Sequence, residues 1–151
     1  MRAFEAKRIE ITSPAPSQEP KREKMNREKL LGASGTFAAK FFAWLLAEAQ
    51  DRAQDYAIDW HPVSFSVRLR RGGRRPGFAY GYAPDKYEIY FQYLHLEASA
   101  LAELRRGLLA FGVFTESGEH TLKARISSLD NHMRARNASR FLLDKLAERS
   151  S

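Results

Sequence analysis

Five arginines, Arg68, Arg70, Arg71, Arg74 and Arg75, fall between residues 60 and 84, a stretch that holds no acid. A guanidinium is a planar fork that bonds phosphate oxygens in pairs, and a two-stranded ribbon is narrow enough to enter a nucleic-acid groove. Set on a hairpin, these side chains have the chemistry of a phosphate grip. The plainer account is a solvated, charged hairpin that resists edge-to-edge association. A second basic run, residues 123–140, has five bases against one acid and includes Arg134, Arg136 and Arg140. There His132, Arg136 and Arg140 recur every four residues, which draws one line along a helix with Asn137 beside it; an exposed helix face explains the same spacing. The two runs make one footprint only if the fold turns both to the same side.

Aromatic rings interleave with the basic hairpin and with the strand after it: Phe78, Tyr80, Tyr82, Tyr87, Tyr90, Phe91 and Tyr93. Ile89 and Phe91 are expected in the core. Tyr82 and Tyr90 are the candidates for an open face, where each ring could stack an unpaired base for about 1 to 3 kcal/mol.

Signatures of catalysis are broken or missing. The histidines His61, His95, His120 and His132 occur singly, and the chain has no cysteine, so the usual zinc-ligand spacings do not arise. Gly32 and Gly35 open a helix but lack the strand and lysine of a phosphate-binding loop. Glu5 and Lys7 match part of a restriction-nuclease pattern without the preceding Asp that would complete a Mg²⁺ site. Asp59, Asp85 and Glu88 sit near strand ends, where turn and surface roles suit them equally. Neither a cofactor nor a metal is expected, and the expectation is a non-enzyme.

These residues must be positioned by a fold, and 151 residues at 44% hydrophobic content suit one ordinary domain. Phe37, Phe41, Phe42, Trp44, Leu45, Leu46 and Ala49 predict a helix over about residues 36–54. Val63, Phe65, Val67 and Leu69 alternate with Ser64, Ser66, Arg68 and Arg70, the period of a half-buried strand. Residues 71–77 then form a hairpin loop, residues 77–82 pair back, and residues 83–86 turn into a strand whose Tyr87, Ile89, Phe91 and Tyr93 share a face. Leu101, Leu104, Leu108 and Phe111 mark a second helix, stopped by Gly112 as a left-handed cap. A strand over about residues 120–126 and a helix from Ser127 or Ser128 to about Glu148 complete the chain. The fold class is therefore α+β, an antiparallel β-meander against two or three helices in the order α-β-β-β(-β)-α-β-α, a two-layer sandwich.

Residues 1–29 read as a flexible, basic, Pro-rich tail, because Pro14, Pro16 and Pro20 stand among polar residues with too little apolar surface to order them; the domain is expected over residues 30–151. Charges within residues 1–11 and a longest apolar run of seven residues, 41–47, argue against a secretory signal or a membrane span. A cytoplasmic protein is expected.

Residues 77–94 (GFAYGYAPDKYEIYFQYL) and 108–126 (LLAFGVFTESGEHTLKARI) resemble small bacterial α+β modules of unknown function that occur alone or beside restriction-like nucleases. The resemblance spans roughly residues 37–147, implies a nucleic-acid or defence context, and transfers no functional residue. The sequence thus predicts a basic module binding DNA or RNA through Arg68, Arg70, Arg71, Arg74 and Arg75, assisted by Arg134, Arg136 and Arg140. The alternative is a protein-interaction or self-associating accessory module of a larger complex, docking by its aromatic sheet face or its tail. An enzyme whose site is assembled from residues that no sequence pattern pairs is the third class.

Overall fold

A computed structural model describes residues 23–71, 73 and 75–150. The Glu5 and Lys7 pattern, Pro14, Pro16, Pro20 and Arg74 lie outside the described residues. In chain order the elements are α1 (Arg27–Ala33), α2 (Thr36–Asp51), β1 (Tyr56–Trp60), β2 (Ser64–Leu69), β3 (Ala79–Tyr82), β4 (Lys86–Tyr90), a 3-10 turn (Phe91–Tyr93), α3 (Ala98–Leu109), β5 (Thr115–Glu116), β6 (Thr121–Arg125) and α4 (Leu129–Ser150). The strands form one antiparallel sheet in the order β1-β2-β3-β4-β6-β5. The fold is α+β, an open sheet with its helices packed against it as a two-layer sandwich.

Period-two alternation decides which side of the sheet the helices cover. Phe65, Val67 and Leu69 of β2, Tyr87 and Ile89 of β4, and Leu122 and Ala124 of β6 all join one buried cluster. Into the same cluster go Phe41, Phe42, Leu45 and Leu46 of α2, Leu104 and Leu108 of α3, and Ala135, Ala138, Leu142 and Leu143 of α4. Each large apolar side chain buried there contributes about 1.5 to 3 kcal/mol. Two hydroxyls tie the layers together inside the core: Tyr56 donates to the Leu143 carbonyl at 2.5 Å, and Tyr87 and Ser139 share a hydrogen bond of 2.9 Å. Tyr80, Tyr82 and Tyr90 are outside this cluster.

Local chemistry sets the ends. Ser128 caps α4 by accepting from the Asn131 N–H at 3.0 Å, and Asp130 places a carboxylate in the first turn, where the helix dipole favours it. Gly112 takes the left-handed conformation (φ +77°) just after α3, as its position in the sequence predicts. The turn between β3 and β4 is anchored twice: the Pro84 carbonyl accepts from the Gly35 N–H at the start of α2 (3.0 Å), and the Asp85 carbonyl accepts from the Ile126 N–H (2.9 Å).

The structure departs from the sequence expectations in particular places. Helix α1 is additional: Asn26 accepts from the Lys29 N–H at 2.8 Å, Leu30 is buried, and the Met25 N–H donates to the His61 carbonyl at 2.7 Å. A domain boundary at residue 30 therefore falls inside α1, and Gly32 belongs to that helix while Gly35 caps the next. Strand β4 ends at Tyr90: the Phe91 N–H makes one more bond across to the His120 carbonyl, and the chain then winds into the 3-10 turn, whose Phe91 carbonyl accepts from the Leu94 N–H at 3.0 Å. Phe91 stays buried, and Tyr93, carried round by the 3-10 turn, is half-buried against the core with its ring 6.0 Å from that of Tyr90. Val63, expected in line with Phe65, sits in the β1–β2 turn and is 53% exposed. No helix of the described residues is long and apolar enough to cross a membrane.

Candidate nucleic-acid interface

The antiparallel register lines up the other side of the sheet in rows. Asp59, Ser66, Tyr80, Glu88, Lys123 and Thr115 stand opposite one another across all six strands, and Ser64, Tyr82, Lys86 and Arg125 form the row beside it. Tyr90 opens a third row with Thr121. Along the first row run an acid, a hydroxyl, a phenol, an acid, a base and a second hydroxyl, so the face is polar yet carries rings.

Those rings are ordered by their own contacts. His61 lies nearly parallel to Tyr80 (5.6 Å between centroids, 20°), Tyr80 lies nearly parallel to Tyr82 (6.2 Å, 17°), and the Lys86 ammonium sits 4.5 Å from the centre of the Tyr82 ring. Tyr90 meets Tyr80 edge to face at 5.2 Å. Beneath the rings Ser66 is fully buried, and its hydroxyl bonds His61 Nε2 at 2.9 Å, which removes the penalty of a buried unpaired hydroxyl. Glu88 is buried as well, accepting from the Tyr90 hydroxyl at 2.5 Å with Lys86 Nζ at 3.9 Å. Burial holds the Tyr80, Tyr82 and Tyr90 hydroxyls above the usual phenol range, with the Glu88 carboxylate adding to the effect at Tyr90. All three are neutral donors at physiological pH, and the uncovered face bears half-buried rings over a satisfied polar floor.

The arginines of the hairpin have local partners. Arg68 Nε donates to Asp59 at 2.8 Å, Arg70 Nε to the Tyr56 carbonyl at 3.0 Å, and Arg71 lies 3.5 Å from Asp55. All three clasp β2 and the loop after it to β1 and the turn before it. Arg75 has no carboxylate partner among the described residues and, with Lys24, Asp59, Trp60, His61 and Tyr80, lines a cleft of about 580 Å³ at the corner of the sheet.

Of the second basic run, Lys123 and Arg125 stand on β6 within the rows of the uncovered face, whereas Arg134, Arg136 and Arg140 lie in the helical layer on α4, so the structure does not bring those three to the hairpin. Arg134 is bound to Asp130 (2.8 Å) and to the Phe111 carbonyl (3.0 Å), clasping α4 to the turn after α3. Arg136 and Arg140 flank the Trp44 ring of α2 at 5.4 and 5.5 Å. His132 is not on an exposed line with them; it is buried, and neither ring nitrogen has a hydrogen-bond partner among the described residues. Its helix turns it inward, one turn ahead of Ala135, and burial, with Arg136 and Lys40 nearby, lowers its pKa.

Tyr82 and Tyr90 both lie on the uncovered face. Tyr80, at the centre of the rings, adds to the candidates expected from sequence, although its spacing of two from Tyr82 carries the signal. His61 and Lys24 carry no such signal, because each joins the site through turns and not through a periodic element. Asp59, Asp85 and Glu88 do not converge: they bond Arg68, Arg125 and Tyr90 respectively. No protein-family model matches this chain, and neither a curated protein nor a solved structure is significantly similar to it.

Proposed function

We propose that this protein is a non-enzymatic module that binds single-stranded nucleic acid across the uncovered face of its sheet. The observation that carries the reading is the column His61, Tyr80, Tyr82, capped by the Lys86 ammonium and flanked by Tyr90. Single strands are held by π-faces that accept any base and by cations along the backbone. Lys86 and Lys123 lie within the rows of the face, and Arg75 and Lys24 stand at its corner. Of the hairpin arginines, Arg68, Arg70 and Arg71 are bound to β1 and its preceding turn, and Arg75 supplies the contact to phosphate. The resemblance to modules found beside restriction-like nucleases adds a nucleic-acid context.

Fluorescence anisotropy with single-stranded DNA, RNA and duplex at two salt concentrations tests this. Tyr82→Ala should weaken single-strand binding roughly 5- to 140-fold, the equivalent of one lost stack at about 1 to 3 kcal/mol. Lys86→Ala and Lys123→Ala should each reduce the salt slope by about 0.7. Duplex bound as tightly as single strands, or Tyr82→Ala binding like wild type, would sink the reading.

A second reading, docking to another protein, is favoured by Leu129 and Met133, one helical turn apart on α4 and 57% and 45% exposed. Under that reading Leu129→Ser with Met133→Ser abolishes association and leaves nucleic-acid binding unchanged.

A further inference from the structure

We infer that the cleft at the corner of the sheet is a pocket for one nucleoside monophosphate, taken either free or as the phosphorylated end of a strand. The inference rests on the single-strand reading for the path by which a strand arrives, because Tyr80 belongs to both the ring column and the wall of the cleft. At about 580 Å³ the cleft falls in the range of about 300 to 1,000 Å³ typical of small-molecule sites.

Two kinds of group converge there, and a nucleotide needs both. Lys24 and Arg75 bring positive charge, and neither is paired with a carboxylate among the described residues. Arg75 offers a fork for two phosphate oxygens, while Lys24 acts as a compact charge. Asp59, the acid on the wall, is neutralised by Arg68 at 2.8 Å, so it does not cancel them. His61 and Tyr80 present near-parallel rings, giving a planar base an aromatic wall, and Trp60 lines the cleft while its ring packs on Phe65 at 5.7 Å.

The cleft is also built to keep its shape. Ser66 fixes the His61 ring through Nε2. Gly77 lets the loop that carries Arg75 and Pro76 lie directly on Ser66, since a Cβ at position 77 would stand 2.4 Å from both Ser66 Cβ and Oγ. Because β1 is the edge strand, a strand crossing the rows from β4 toward β2 runs out of sheet here, which suits recognition of an end.

Trp60 and Trp44 are the two tryptophans of the chain, so Trp44→Phe leaves Trp60, which lines the cleft, as a fluorescent reporter. That variant is titrated with AMP, adenosine and inorganic phosphate, and wild type is titrated in parallel by calorimetry in case the substitution disturbs α2. Oligonucleotides with 5′-phosphate, 3′-phosphate or hydroxyl ends complete the set. AMP should bind at least tenfold more tightly than adenosine, and one of the phosphorylated ends should gain a similar factor over the hydroxyl end. Arg75→Ala and Lys24→Ala should each weaken AMP at least fivefold and leave adenosine unchanged. AMP no tighter than adenosine, AMP binding indifferent to Arg75, or inorganic phosphate matching AMP overturns the inference. Hydroxyl-ended strands that depend on Tyr82 while AMP fails would overturn the cleft and keep the sheet reading; Arg75-dependent AMP binding with no Tyr82-dependent strand binding would do the reverse.

Discussion

A single methyl group at position 81 should unseat two rings of the core. Built on Gly81, a Cβ would lie 2.4 Å from Phe65 Cε1, 2.9 Å from Phe65 Cζ and 2.9 Å from Phe42 Cε1, against the roughly 3.5 to 4.0 Å at which carbons rest. Both rings are fully buried and meet edge to face at 5.7 Å and 82°, in an interior packed like a crystal. Neither can retreat without leaving its rotamer or pushing α2 off the sheet. Overpacking of this kind costs about 1 to 3 kcal/mol, partly offset by about 0.5 to 1 kcal/mol for replacing glycine in an extended chain. With an approach as short as 2.4 Å the overpacking cost falls in the upper part of its range, so Gly81→Ala should lose about 1 to 2.5 kcal/mol, a fall in Tm of roughly 4 to 10 °C for a domain of this size. Thermal and urea unfolding followed by circular dichroism measure it, with an unchanged m value showing that the unfolding transition is the same. Gly32→Ala is the control: nothing lies within 4 Å of its Cβ position, and in α1 the substitution should stabilise by about 0.5 to 1 kcal/mol. If Gly81→Ala matches or exceeds wild type, Gly81 faces solvent, the strand register is off by one, and Tyr80 and Tyr82 point into the core.

Three further outcomes are expected. His132 is held below the ordinary histidine pKa first by burial and then by Arg136 and Lys40, so its contribution to stability is complete above pH 6.5 and is lost as pH falls below it; His132→Leu should flatten the decline in Tm between pH 7.5 and 5. Arg70→Ala with Arg71→Ala removes the bonds to the Tyr56 carbonyl and Asp55 and should destabilise by about 0.5 to 1.5 kcal/mol in urea unfolding, whereas solvated arginines would leave the midpoint unmoved. Tyr87→Phe removes the buried bond to Ser139 and should cost about 0.5 to 1.5 kcal/mol, with no change in nucleic-acid binding because that hydroxyl is on the helical side of the sheet.

Much of the layer structure is legible in the sequence because it depends on period. Phe65, Val67 and Leu69 name the covered side of β2 by alternation, and the same rule sends Tyr82 and Tyr90 to the other side. Alternation does not carry the pairing of charges. Arg68, Arg70 and Arg71 look like a cluster without acids because their partners, Asp59, Asp55 and the Tyr56 carbonyl, precede the segment in sequence and meet it only through antiparallel pairing. His132 departs from its expected place for a related reason: four-residue spacing puts it in line with Arg136, but the line twists around α4, and packing against α2 decides where burial begins. Helix α1 is hard to see in sequence because seven residues are too few to show a period; its start is set by the Asn26 cap and its place by Leu30.

The turn between β3 and β4 joins parts of the chain that are far apart in sequence. Its Pro84 carbonyl holds the amide of Gly35, the cap of α2, and its Asp85 carbonyl holds the amide of Ile126, just past β6, while the Asp85 carboxylate accepts from Arg125 at 2.6 Å. Opening this turn releases the start of a helix and the end of a strand at once, so neither can fray alone. The two segments are then one cooperative unit in the sense of hydrogen exchange, and the amide protons of Gly35 and Ile126 should exchange with solvent at a common rate, slowed to that of the sheet they fasten.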